Sequence, residues 1–203
     1  MGKIALSGRD IGTPALKGVT VMDGKQATVT AGGADIWGNK DEFHFACIQM
    51  GGNFSLTAKV DAMTMADPHT KAGIMLRASA EPFAPHLMLF AFGDNRARNK
   101  NSGGIEFQSR MMPYGDCEAV YPAQPKADPP EFPVSFPDVW LRLQRRDDVY
   151  EAFVSKDGEM WRRYCQHKMQ FSGAPLLGLA VTSHNVAKPV TVSFSQIDYI
   201  PLE

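Results

Sequence analysis

The sequence predicts an all-β fold, an antiparallel two-sheet sandwich with little helix. Three observations carry this. Apolar and polar residues alternate with period two, nowhere more clearly than in Phe54, Leu56, Ala58, Val60 and Ala62 against Ser55, Thr57, Lys59 and Asp61. Turn dipeptides punctuate the chain at Asp23-Gly24, Gly51-Gly52, Asp147-Asp148, Asp157-Gly158 and Ser172-Gly173. Long helical periodicity is missing. About a dozen short strands without intervening helices leave a sandwich or a barrel.

In chain order, residues 18–22 and 26–30 read as strands separated by the turn signal Asp23-Gly24. Residues 43–49 alternate Phe43, Phe45 and Cys47 on one face and lead through Gly51-Gly52 into the alternating strand 54–62. Residues 72–79, 86–92 and 104–110 are rich in apolar residues and are bounded by polar or glycine-containing stretches. Residues 139–145, 150–155 and 160–167 form a three-strand meander with two tight turns. Residues 176–182 and 190–200 close the set. No internal repeat is visible, which argues against a propeller.

One segment breaks the pattern. Residues 111–137 hold seven of the fourteen prolines together with Tyr114, Tyr121, Phe132 and Phe136. Proline cannot donate to a sheet ladder, so this is a long loop rather than a central strand. Its aromatics argue for packing over one end or one face of the sandwich, either as a functional loop or as cover for a sheet edge.

The 203 residues suit a single large β-sandwich domain, and 44% hydrophobic with 21% charged residues suits a globular chain. A net charge of -1 gives no field favouring nucleic acid or an anionic membrane. No apolar run reaches the roughly 18 residues a spanning helix needs. The opening MGKIALSGRDIG has no signal-peptide core, which fits a cytoplasmic protein or a secreted one already processed. Cys47, Cys117 and Cys165 lack CxxC spacing and suggest no metal knuckle. Oligomeric state is left open.

Five strings in order, GADIWGNKDEFHF (33–45), TKAGIMLRAS (70–79), VWLRLQRRDD (139–148), VSKDGEMW (154–161) and LAVTSHN (179–185), resemble one family. It is the concanavalin A-like (lectin/glucanase-fold) domain of unknown function, a "regulation of enolase"-like family related to the C-terminal module of family 43 β-xylosidases. The resemblance runs nearly end to end. It implies one jelly-roll sandwich whose concave sheet is where carbohydrate-active relatives bind glycans.

Alternation sorts side chains by face. Arg77 shares a face with Met75. Glu106, Gln108 and Arg110 oppose Ile105 and Phe107. Trp140, Arg142 and Gln144 oppose Leu141 and Leu143, and Thr182 shares a face with His184. If the polar faces join, Arg77, His86, Gln108, Arg110, Trp140, Arg142 and His184 form a concave ligand surface for an oligosaccharide or polysaccharide. An aromatic ring would stack on a pyranose while planar side chains bond its hydroxyls. The plainer reading pairs the arginines with Glu106, Asp61 or Asp41 and puts Trp140 in the core. Likewise Asp35 and Asp41 read either as part of a ligand-facing loop or as turn acceptors, with Trp37 plugging the sandwich end.

Modules of this broad type often carry a structural calcium, for which Asp10, Asp35, Asp41 and Asp198 are the candidate ligands. His44, His69, His86, His167 and His184 show no zinc-motif spacing. Paired glycosidase acids in an ExDxE string are missing, and no catalytic residue is assigned. The leading expectation is a non-catalytic carbohydrate-binding or accessory module. One alternative is a glycan hydrolase or lyase using His86 or His184 with Arg110 and Gln108. The other is a structural or protein-interaction sandwich.

Overall fold

A computed structural model of the chain describes residues 4–93, 104–120 and 139–203. Among the described residues there are fifteen strands and no α-helix: β1 (Ser7–Ile11), β2 (Val19–Asp23), β3 (Gln26–Ala31), β4 (Asp35–Trp37), β5 (Lys40–Gln49), β6 (Asn53–Met63), β7 (Lys71–Arg77), β8 (His86–Phe92), β9 (Ile105–Arg110), β10 (Glu118–Val120), β11 (Val139–Arg146), β12 (Val149–Ser155), β13 (Arg162–Lys168), β14 (Leu176–Thr182) and β15 (Val190–Leu202). Most of the proline-rich loop expected at 111–137 lies outside the described residues, its opening turn and β10 excepted.

The strands form two antiparallel sheets stacked as a sandwich. One sheet runs β1-β5-β14-β7-β8-β9-β10, with β4 paired to β5 off this path; the other runs β13-β12-β11-β6-β15-β3-β2. The expected meander is β11-β12-β13, and its first turn puts Asp147 at φ 56°, the left-handed geometry a tight antiparallel hairpin needs. Three strands escaped the sequence reading. β1 is a largely exposed edge strand, and β4 and β10 are three residues each, too short to show a period.

The main core lies between the sheets. Leu56, Ala58 and Val60 of β6, with Leu141 and Leu143 of β11, meet Ile74 and Leu76 of β7, Leu87 and Leu89 of β8, and Leu177 and Leu179 of β14. Each such aliphatic side chain stabilises the fold by about 1.5–3 kcal/mol when fully buried. A second apolar cluster sits on the opposite face of the first sheet. It joins Phe43, Phe45, Met75, Met88, Phe90 and Ala180 to Ile36 of β4, which folds over that face.

Strands β7, β8, β9 and β14 are therefore buried on both faces. The all-apolar stretch Leu87–Phe92 is the sequence trace of this arrangement, since two-sided burial removes the alternation. The expectation of an open polar face on these strands is corrected accordingly.

Candidate functional site

Antiparallel register assembles a row of side chains across the covered face. Arg77 on β7 pairs with His86 on β8, and His86 pairs with Arg110 on β9. Two residues along, on the same face, Gln108 of β9 pairs with Met88 of β8. The β4–β5 segment lies above this row and delivers Asp41. All five polar residues are fully buried.

Asp41 is the hub. Its Oδ2 accepts from Arg77 Nη1 at 3.0 Å and from Arg110 Nη1 at 2.7 Å, while Oδ1 accepts from Arg110 Nη2 at 2.7 Å. The remaining guanidinium N–H groups turn to backbone carbonyls. Arg77 Nε donates to Ser79 O at 2.7 Å, and its Nη2 donates to Glu81 O. Arg110 donates to Gly38 O at 2.8 Å and to the carbonyls of Pro82 and Ala84 at 3.3 Å. Two buried arginines thus pin the segments 36–41 and 79–84 against the sheet. Charge-assisted bonds of this kind satisfy groups that would be costly to bury alone.

His86 completes the cluster. Its Nδ1 lies 3.6 Å from Asp41 Oδ2, and its Nε2 accepts from Gln108 Nε2 at 3.1 Å. Cys117 Sγ is 3.8 Å from that Nε2. Cysteine, histidine and aspartate stand in the order of a nucleophile triad, but their environment defeats that chemistry. Burial, helped by the two guanidinium charges and opposed by Asp41, pushes the imidazole down to about 3. Burial pushes the Cys117 thiol up to about 12. Near neutral pH neither thiolate nor imidazolium forms. Nor do Asp41, His86 and Cys117 suit a cation, because two guanidinium groups already occupy the carboxylate.

Beside this cluster Lys71 Nζ bonds Ile36 O at 2.9 Å and Asp35 Oδ1 at 2.9 Å, which anchors β4. Trp37 is 40% exposed and lies under the Lys71 ammonium rather than plugging the sandwich end. The other acids weighed for calcium also have side-chain partners. Asp10 meets His44 and Lys17, and Asp198 meets Lys25.

The seven residues expected on one surface separate into three places. Arg77, His86, Gln108 and Arg110 come together in the buried cluster. Trp140 and Arg142 do not join them: β11 belongs to the other sheet, and both side chains face outward from it, away from the core that holds Leu141 and Leu143. There Arg142 stacks on Trp161 at 3.7 Å, donates to Thr57 Oγ1 at 3.0 Å, and Trp140 meets Trp161 edge-on. His184 lies just past β14 at φ 54°, with its ring between Asp35 and Asp67. Alternation gave the faces within β7, β9 and β11, but not for His184, which lies beyond the end of β14 and so shares no strand face with Thr182, and it carried no information on which sheet a strand joins.

The loops that the buried arginines pin form one end of the sandwich. An open pocket of about 400 Å³ lies there, lined by Ser79, Phe83, Met111, Met112, Gln170 and Ser172 among others. Phe83 stacks on Tyr114 with centroids 3.9 Å apart, and Tyr114 N donates to Phe83 O at 3.2 Å. Tyr114 stands at φ 61° and is 66% exposed. Its neighbours Met111 and Met112 are 48% and 64% exposed. The sequence marked Tyr114 only as one aromatic of a proline-rich loop; Phe83, in a separate loop, gave no signal.

No family model matches this chain, and no curated protein matches it. Solved structures do. A functionally unknown protein from Saccharomyces cerevisiae superposes with a TM-score of 0.68 at 16% identity over 97% of each chain. The GH43 protein BlXynB from Bacillus licheniformis matches with a TM-score of 0.62 at 11% identity; the alignment covers 87% of this chain but only 33% of that one. The carbohydrate binding module CBM66 from Bacillus subtilis matches with a TM-score of 0.51 at 13% identity, over 95% of this chain and 94% of the other. The fold is thus a concanavalin A-like jelly roll.

Proposed function

We propose that this chain is a non-catalytic carbohydrate-binding module that takes a short glycan segment at the loop end built by residues 79–85 and 111–115. The observation that carries the reading is Tyr114. Its ring is exposed to solvent and stacked on Phe83, which itself lines a roughly 400 Å³ pocket. A sugar's C–H face stacks on such a ring, and Ser79, Gln170 and Ser172 bring hydroxyl and amide groups to the pocket that Phe83 lines. Fixing the platform in advance lowers the ordering cost of binding. Arg77, Arg110 and Asp41 are then positioning residues, and His86 and Gln108 complete their buried cluster. The jelly-roll likeness to a carbohydrate binding module supports the reading by analogy of fold alone.

The test is affinity electrophoresis against a panel of plant and microbial polysaccharides, with polymer length measured before and after. The expected result is retardation on one polymer at constant chain length. Tyr114→Ala, folded by circular dichroism, should weaken that binding by at least about tenfold, the effect of losing roughly 1.4 kcal/mol. Retardation that survives both Tyr114→Ala and Phe83→Ala would move the site elsewhere. Shortening of the polymer would replace a binding module by an enzyme. A second reading rests on Met111 and Met112, whose exposed, adaptable side chains suit a protein partner. Absence of retardation on every polymer would favour it.

A further inference from the structure

The opposite end of β7 carries a second cluster. Asp67 and His69 lie in the loop before β7, and His184 in the loop after β14. The Nδ1 atoms of His69 and His184 stand 3.2 and 3.3 Å from the same Asp67 Oδ1. The two rings are 4.9 Å apart. All three residues can offer one ligand atom within 4.8 Å of one another. We propose that Asp67, His69 and His184 bind a divalent transition-metal ion of the zinc class, in a site open to solvent on one side.

The distances fit. Donor atoms held tetrahedrally at about 2.0–2.1 Å from zinc stand roughly 3.3 Å apart. Hydrogen-bonded imidazoles share this spacing, so the far side of His184 is the telling feature. Its Nε2 lies 3.3 Å from Asp35 Oδ2. A metal-bound histidine commonly gives its other N–H to a carboxylate, which fixes the tautomer and makes the coordinating nitrogen more basic. With the proton on Nε2, the Nδ1 lone pair faces the Asp67 carboxylate, and a cation between them turns repulsion into coordination. Asp35 is itself held by Lys71 at 2.9 Å.

The loops are set before any ion arrives. Thr70 Oγ1 donates to Ser183 O at 2.9 Å and ties one loop to the other. Asp67 Oδ1 accepts from His69 N at 2.7 Å, and Thr70 Oγ1 accepts from Asp67 N at 3.2 Å. Side-chain exposures of 31%, 51% and 30% for Asp67, His69 and His184 leave room for a water or a ligand atom in the fourth position. Two imidazoles argue against calcium, which takes oxygen ligands. His69 and His184 come from distant parts of the chain, so no spacing motif could reveal them.

The experiment is calorimetric titration of the chelator-stripped full chain with Zn²⁺ near neutral pH, with Co²⁺ as a visible-absorption probe of the same site. The expected result is one equivalent of Zn²⁺ and a Co²⁺ d–d band that Zn²⁺ abolishes. His69→Ala and His184→Ala should each weaken binding at least about tenfold. Asp35→Asn, which touches no metal, should weaken it by about 10–100-fold. The melting temperature of each stripped variant checks folding; should His184→Ala fail to fold, the more exposed His69 decides the matter. Absence of stoichiometric uptake would overturn the proposal. So would uptake that survives both histidine substitutions, which would assign the ion to another group such as His44 with Asp10.

Discussion

Replacing Asp41 by asparagine isolates the charge at the centre of the buried cluster, because the two side chains have nearly the same shape. The change removes the counter-charge from three short N–H···O contacts, at 3.0, 2.7 and 2.7 Å, and turns an amide N–H₂ toward a guanidinium. Arg77 and Arg110 are fully buried and would keep backbone carbonyls, weak sulfur contacts and, for Arg77, the Phe43 ring in compensation. Breaking a buried pair in this way costs about 3–5 kcal/mol. Unfolding entropy of about 2.1 cal/mol/K per residue gives roughly 0.43 kcal/mol/K for 203 residues, so the melting temperature should fall by about 7–12 °C. Differential scanning calorimetry of Asp41→Asn against wild type measures this, with exposed Asp23→Asn as the control expected within about 0.5 kcal/mol of wild type. A fall of less than about 2 °C would refute the reasoning, since the guanidiniums would then be satisfied without the carboxylate.

Other consequences concern the same covered face. His86 should make the fold acid-sensitive. The unfolded chain takes up its proton near 6.5, whereas the folded state resists down to about 3, so stability present above pH 6.5 is lost as pH falls through that window. At about 1.4 kcal/mol per pH unit the loss by pH 5 is about 2 kcal/mol, and denaturant titrations should find a shallower pH slope in His86→Gln; an equal slope would exonerate His86. Cys117 and Cys165 are both pushed up to about 12 by burial, so neither should react with a thiol reagent in the native state at mildly alkaline pH, and both should react after unfolding. Rapid native labelling at either would contradict the packing. Gly178→Ala should destabilise by about 1–3 kcal/mol or more, because a Cβ there would meet Ala46 O at 2.0 Å and Cys47 Cα at 2.7 Å. Gly51→Ala, whose Cβ meets nothing within 4 Å, is the matched control, and equal stability of the two variants would speak against this strand packing.

The sequence alone determined the β content, most strand positions, the β11–β12–β13 meander and the face on which each side chain of a strand lies. These are local properties: period-two alternation and turn chemistry act over a few residues, and sequence reports them directly. It left Glu106, Asp61 and Asp41 open as partners for Arg77, Arg110 and Arg142; the structure pairs Arg77 and Arg110 with Asp41, while Arg142 bonds Thr57. Only the tertiary structure decided which faces meet. β14 inserts between β5 and β7, and β15 between β6 and β3, pairings between segments far apart in the chain. That topology sent Trp140 and Arg142 to the outer face of one sheet and sealed Arg77, His86, Gln108 and Arg110 beneath β4 on the other. It also brought His69 to His184 and Phe83 to Tyr114. Burial on a second face adds no new period to the sequence, and contacts between loops leave none at all, so these sites follow from long-range strand pairing alone.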